Sequence, residues 1–155
     1  MNHATIRDAI IGVCDTSDAP AKMFSGPVDK TDYADWVNTL IDETTGKVLF
    51  GWVTREGFSD TQTVDASDAP IVDTTRENWA IYLFHPFKSE VSEDYFQAAL
   101  DSLMKVFRFE HDLNGKTFRS YPLQIPDIAM VMLGNLLCHR AKAIIVVSQR
   151  LLTNS

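Results

Sequence analysis

Cys138 and His139 set a thiol directly beside an imidazole, the pairing from which cysteine nucleophiles are built. A thiol works as a nucleophile once a base or a positive charge favours its thiolate, and for that the two side chains must meet. Neighbours along a strand point to opposite faces, and neighbours along a helix diverge by about 100°. The pair is therefore read as structural. Gly115-Lys116-Thr117 has the ending of a phosphate loop, but the position five residues before Gly115 is Glu110 instead of glycine, and a helix precedes it where a strand is needed. His3, His85, His111 and His139 are scattered without His-Glu-x-x-His or Cys/His spacing, so no metal site is expected. Glu93, Asp94 and Asp101 supply carboxylates on one helix, where Glu93 and Asp94 project to different sides and no partner acid is implied. The expectation is a non-enzymatic protein with no catalytic residue, no cofactor and no metal.

Charge narrows the partners. The net charge of −7 over 155 residues opposes binding to a nucleic-acid backbone, an affinity that comes largely from Lys and Arg neutralising phosphates. Lys105 with Arg108 and Arg140 with Lys142 are the local basic groups, set against an acidic segment at residues 57–77 that holds five carboxylates and one arginine. Cations of one copy meeting that segment on a neighbour would supply complementary charge; a plain solvated surface is the alternative. Uninterrupted apolar runs such as Ala143 to Val147 are far short of the roughly 20 residues of a membrane helix. The start of the chain lacks a basic region followed by an apolar one, so a soluble, unsecreted protein is expected. Cys14 and Cys138 lie far apart and suggest small buried hydrophobes more than a disulfide.

These groups must be positioned by the elements between them. At 45% hydrophobic and 23% charged, 155 residues make one domain with one proper core. Ile6, Ala9, Ile10 and Val13 recur at helical spacing, so residues 4–14 form a short amphipathic helix. Residues 36–42 and 48–55 flank a tight connection at Gly46 and read as a hairpin, although Trp36, Leu40 and Ile41 also suit one helical turn. Val48, Phe50 and Trp52 alternate with Leu49, Gly51 and Val53, which predicts a sheet covered on both sides. Residues 57–77 show no sustained period and read as a long acidic loop, either functional or disordered. A strand from Trp79 to Phe84 breaks at Pro86, and Ser92 offers an N-cap to an amphipathic helix over 92–109 carrying Phe96, Leu100, Leu103 and Phe107 on one face. The chain turns at Asn114-Gly115 and runs extended to Pro126. Residues 128–138 are apolar all round, and periodicity leaves strand and helix both open. Ala143 to Gln149 is β-branched and short, a central strand. The predicted class is α+β: a mixed, mostly antiparallel sheet flanked by an N-terminal helix and a central amphipathic helix.

This order of parts resembles the tail terminators of long-tailed, lambda-like bacteriophages. The resemblance lies in the first helix from His3 to Ile10, the run from Ala21 to Gly26 entering the first strand, the strand from Trp79 to Phe84 leading through Pro86 into the Ser92 helix, and the closing segment from Ala141 to Ser148. The long apolar run over 128–138 departs from the family's pattern. The resemblance implies a virion protein acting in the tail and neck and assembled in the host cytoplasm. Six copies would close a ring that caps the tail tube, ends its polymerisation and docks to the head-completion or connector protein, while DNA passes through without specific binding. Asp60, Asp65, Asp68, Ile71, Val72, Asp73, Lys105, Arg108, Arg140 and Lys142 are then the candidate interface residues. The alternatives are another small head–tail connector, a small enzyme using a cleft around His139 and Cys138, or a binding module presenting an uncovered sheet edge.

Overall fold

Val48, Phe50 and Trp52 are buried on one side of a strand and Leu49 and Val53 on the other, so the sheet has two apolar faces and each needs a cover. The computed structural model describes residues 3–19, 21–41, 47–64, 70–88, 90–113, 115 and 119–150, and of 61–64, 70–73, 90, 119 and 150 the backbone alone. In chain order the elements are α1 (His3–Cys14), β1 (Lys22–Phe24), α2 (Tyr33–Asn38), β2 (Phe50–Val64), β3 (Pro70–Pro86), α3 (Glu90–Arg108), β4 (Arg119–Ser120), β5 (Gln124–Leu133) and β6 (Leu136–Arg150). The class is α+β, with one mixed, mostly antiparallel sheet. Its strands run β1-β2-β3-β6, and β4 and β5 follow each other along the outer side of β6. Only β1 against β2 is parallel.

The larger core lies under α1 and α3. Ile6, Ile10, Val13 and Cys14 line the inner side of α1, and Phe96, Ala99, Leu100, Leu103 and Phe107 line that of α3; both meet Leu49, Val53, Trp79, Ile81 and Ile145 from the sheet. Glu77 is buried beside this core. Arg55 meets it at 3.0 Å, and the Trp79 indole and the Gln149 amide donate to its other oxygen at 3.4 and 3.3 Å, so the buried carboxylate is satisfied. Gly51 faces the same side, where an added Cβ would come within 1.9 Å of the Tyr82 carbonyl oxygen.

The opposite face carries a smaller core of Val37, Val48, Phe50, Trp52, Phe84 and Cys138, capped by α2. That cap is pinned from the far end of the chain. Asp32 N-caps α2 by accepting from the Asp35 amide at 2.9 Å, while Asn135 Oδ1 accepts from the Tyr33 amide at 3.0 Å and its Nδ2 donates to Asp32 at 2.9 Å. Gly134 precedes it with φ +59, and a Cβ there would meet the Tyr33 ring at 2.8 Å. The turn and the helix cap are therefore one unit.

Three expectations need correction, and one left open is decided. Residues 36–42 are not the first strand of a hairpin, because Trp36 to Asn38 belong to α2; the connection at Gly46 lies outside the described residues. The acidic segment 57–77 is not one long loop: residues 57–64 end β2 and 70–77 begin β3, and only 65–69 between them lie outside the described residues. The ladder crosses two register shifts, at Arg55/Gly57 and Thr61/Gln62. Residues 128–138, left open between strand and helix, are strand on both sides of the Gly134-Asn135 turn. The helix expected over 92–109 begins two residues earlier, so Ser92 sits inside its first turn.

Candidate functional site

His85 and His139 stand opposite each other on β3 and β6, on the face that α3 covers. Both are buried, with ring centroids 6.1 Å apart and the planes nearly parallel. Phe96 packs against His139 and Tyr95 against His85, at 5.5 and 4.7 Å. The buried Ser92 hydroxyl lies 2.9 Å from His139 Nε2 and accepts from the Lys88 amide at 3.3 Å. Here Ser92 satisfies two polar groups in the first turn of α3. His85 Nδ1 is bonded to the Val48 carbonyl. Burial holds the His85 pKa below the usual imidazole value, opposed by the Val48 bond and reinforced by the charges of His139, Lys88 and Lys47.

A cavity of about 170 Å³ opens beside this cluster, and Lys47, Lys88, His85, Ser92 and Tyr95 line it. The Lys47 ammonium rests 4.2 Å from the Tyr95 ring centroid. Ser92 and His139 have the spacing of a nucleophile and a base, but among the described residues no carboxylate is bonded to His139 to fix its ring as a triad requires. Cys138, next in the chain, points to the other face and packs with Phe84 and Val48. Burial pushes its thiol up to about 12, and burial with the Asp15 charge does the same for Cys14. Neither sulfur is poised to react. Among the described residues no three His, Cys, Asp or Glu side chains gather as a metal set, and no helix is long and apolar enough to cross a membrane.

The second feature is the outer edge of the sheet. β5 pairs with β6 on one side, and among the described residues no strand pairs with its other side. Ile128, Met130 and Met132 alternate along it and are 47%, 44% and 61% exposed. Leu137 and Phe87 extend the patch, joined by the Phe87 amide donating to the Leu137 carbonyl at 2.9 Å. Single exposed apolar residues mean little, but a row beside an unpaired strand edge is a candidate contact surface. Pro126 and Asp127 interrupt only the first part of the strand.

The described candidate interface residues lie on different parts of the subunit. Lys105 and Arg108 are exposed on the last turns of α3, whereas Arg140 and Lys142 lie on the opposite face of the sheet. Arg140 is paired with Asp127, and Lys142 reaches Glu56 at 2.8 Å, with the Tyr82 hydroxyl donating to the same carboxyl. The Lys142 bond, more than any other group, holds Glu56 below the usual carboxylate range. Beside them Trp52, Tyr82 and Phe84 floor an open groove of about 400 Å³. Asp60 is exposed on β2 and accepts from Thr75 at 2.9 Å. Ile71, Val72 and Asp73 fall in β3, where only the backbone is described, and Asp65 and Asp68 lie outside the described residues.

Reasoning from the sequence missed the Ser92–His139–His85 cluster, whose members come from separate elements; it also missed the β5 edge, for which Gly134-Asn135 between two apolar runs was the available signal. No protein-family model matches the chain, and no curated protein matches it.

Proposed function

We propose that this chain is a tail terminator: a virion structural protein that caps a phage tail tube, ends its polymerisation and offers the docking face for the head. Two things support the reading. One is the order of elements through α1, the strand before Pro86, α3 and the closing strand, on which the resemblance rests. The other, which carries the assembly half of the claim, is the row Ile128, Met130 and Met132 on an open strand edge. A subunit that joins copies of itself head to tail needs two different patches, and a ring forms when the rotation per copy closes. The β5 edge supplies one patch, and the exposed cations Lys105 and Arg108 on α3 lie on another part of the surface. A net charge of −7 suits a lumen through which DNA slides without sticking. On this reading the partners are further copies in a sixfold ring, the tail-tube protein and a head-completion protein, and the reaction chemistry of the chain is nil.

Electron microscopy of the purified chain mixed with tail-tube protein tests it. Rings or capped tubes are expected. Tubes that keep growing in its presence, with the protein absent from their ends, would overturn the proposal. Single subunits in dilute solution are compatible with it, because a tube end raises the effective concentration at which weak ring contacts form.

A further inference from the structure

Two backbone bonds on β6 fix which way each peptide group of β5 points. Leu137 faces Met132 in the ladder, and its carbonyl accepts from the Phe87 amide on the β3 side. A carbonyl turned away from β5 makes Leu137 and Met132 a pair that exchanges no hydrogen bonds, and such pairs alternate with bonded ones along an antiparallel ladder. Met130 opposite His139 and Ile128 opposite Ala141 are therefore of the same kind. The Tyr121 amide agrees with this phase, because just after β4 it bonds to the carbonyl of Val146, which falls on the other set of alternating β6 residues. The N–H and C=O of Ile128, Met130 and Met132 thus point away from β6 to the open side of β5, and among the described residues no strand meets them. The same three residues carry the exposed apolar side chains.

An edge that offers a donor and an acceptor at every second residue is completed by another extended strand. A strand of matching phase and polarity is β5 itself. With a two-fold axis through Met130, each Met130 faces its counterpart and Ile128 of each copy faces Met132 of the other, so all three outward-facing residues bond to outward-facing residues. Moving the axis by one residue sets Met132 against Pro126, which has no N–H, or Ile128 against Gly134 in the turn. Asp127, the one charged residue of β5, then faces Leu133 instead of its own copy, and no like charges are opposed. We propose that the β5 edge binds the β5 edge of a second copy, making a symmetric dimer whose antiparallel sheet runs on through both subunits and is centred on Met130. In a closed ring the same edge would meet a different neighbour, so the dimer is the form of the free chain. It does not rest on the tail-terminator reading, and its failure leaves the tube-capping test as it stands.

Sedimentation equilibrium of the full chain should show monomer and dimer in exchange, and cysteine cross-linking reads the register. Met130→Cys should form a disulfide-linked dimer under mild oxidation, because bonded antiparallel pairs set their Cα atoms about 5.5 Å apart, within the span of a disulfide. Ile128→Cys should not, since its counterpart lies about 13 Å away, four residues along the strand. Cys14 and Cys138 are buried, so the cross-link reports the new thiol. Met130→Lys and Met130→Glu should each keep the fold, checked by thermal melting, and weaken the dimer by at least about tenfold, while an equimolar mixture of the two restores it. A monomer at every soluble concentration, cross-linking at position 128 equal to that at 130, or a mixture no tighter than either variant alone would each overturn the proposal.

Discussion

β6 separates two unlike regions at a single position. His139 has His85 as its ladder partner on one side and Met130 on the other. Toward β3 the neighbours are polar and buried: two imidazoles, a serine hydroxyl and a small cavity walled by lysines. Toward β5 they are apolar and exposed, from Ile128 to Met132 with Leu137 and Phe87. This inverts the usual distribution, in which polar groups meet water and apolar groups avoid it. The buried polar groups persist because they satisfy one another, and the exposed apolar ones have no such compensation within the subunit. The difference therefore sets local order within the subunit on the first side against apolar surface left open on the second, the side on which the proposed assembly depends.

Phe96 supports the buried side alone, so its loss should separate the two regions most sharply. The ring is fully buried, packs against His139 at 5.5 Å and belongs to the main core under α3. Phe96→Ala should lower unfolding free energy by about 3–5 kcal/mol, measured by urea titration. A loss below about 1 kcal/mol would mean that α3 collapses easily onto the sheet and that the histidine pair is not held by it. Ser92→Ala tests the polar half of the same region. It leaves His139 and the Lys88 amide without the hydroxyl between them, and should cost about 1–3 kcal/mol. An unchanged stability would show that water replaces the hydroxyl and that the bond to His139 contributes little.

The exposed side should respond in the opposite manner. Met130→Lys and Met132→Lys place charge on an open edge, where substitution changes the stability of the single subunit by less than about 0.5 kcal/mol. On the proposed assembly reading their effect belongs to association: the concentration for half-assembly should rise by about tenfold or more, read by sedimentation. If assembly is unaffected while the fold weakens, these methionines serve the subunit's own packing and the contrast between the regions fails.

What the sequence reveals follows the same division. α1 and α3 are legible because their buried residues recur at helical spacing within one segment, and β2 near Val48 to Val53 is legible because both of its faces are apolar. The arm formed by residues 57–64 and 70–77 is not: Phe58, Ser59 and Asp60 are all exposed, so no alternation marks a strand whose pairing comes from its partner. α2 is hidden for a different reason. Its N-terminal cap is completed by Asn135, about a hundred residues away in the chain, and local propensity carries no trace of that bond. The run over 128–138 is ambiguous by composition, and Gly134 resolves it only once its positive φ is seen against the Tyr33 ring. The His85–Ser92–His139 cluster is illegible because each member has a sufficient local reading, as a strand end, a helix cap and a strand residue.

Acidification provides the mildest way to test the contrast, since it acts on the buried region first. The folded His85 pKa lies below its ordinary value of 6.5, mainly through burial, so the unfolded chain takes up the proton more readily. Stability then rises with pH wherever the unfolded state binds more protons, so the His85 contribution is fully present above about pH 6.5 and is lost as pH falls through the folded value. Glu56 and Asp32 are also depressed, Glu56 by Lys142 and Asp32 by Asn135, but their contributions are lost only below their ordinary values of 4.5 and 3.8. Between about pH 6.5 and 4.5 the decline should therefore come from the histidine and should survive Glu56→Gln, which removes part of the lower window. Urea titrations across that range in the single variant and the parent check it. A flat profile above the carboxylate range would mean that His85 takes up its proton in the folded chain without cost, and that the cavity beside it is wetter and less positive than its lining residues imply. Exposed methionines carry no proton, so the β5 edge should contribute nothing to this slope, and assembly measured over the same interval should change only as far as the folded population does.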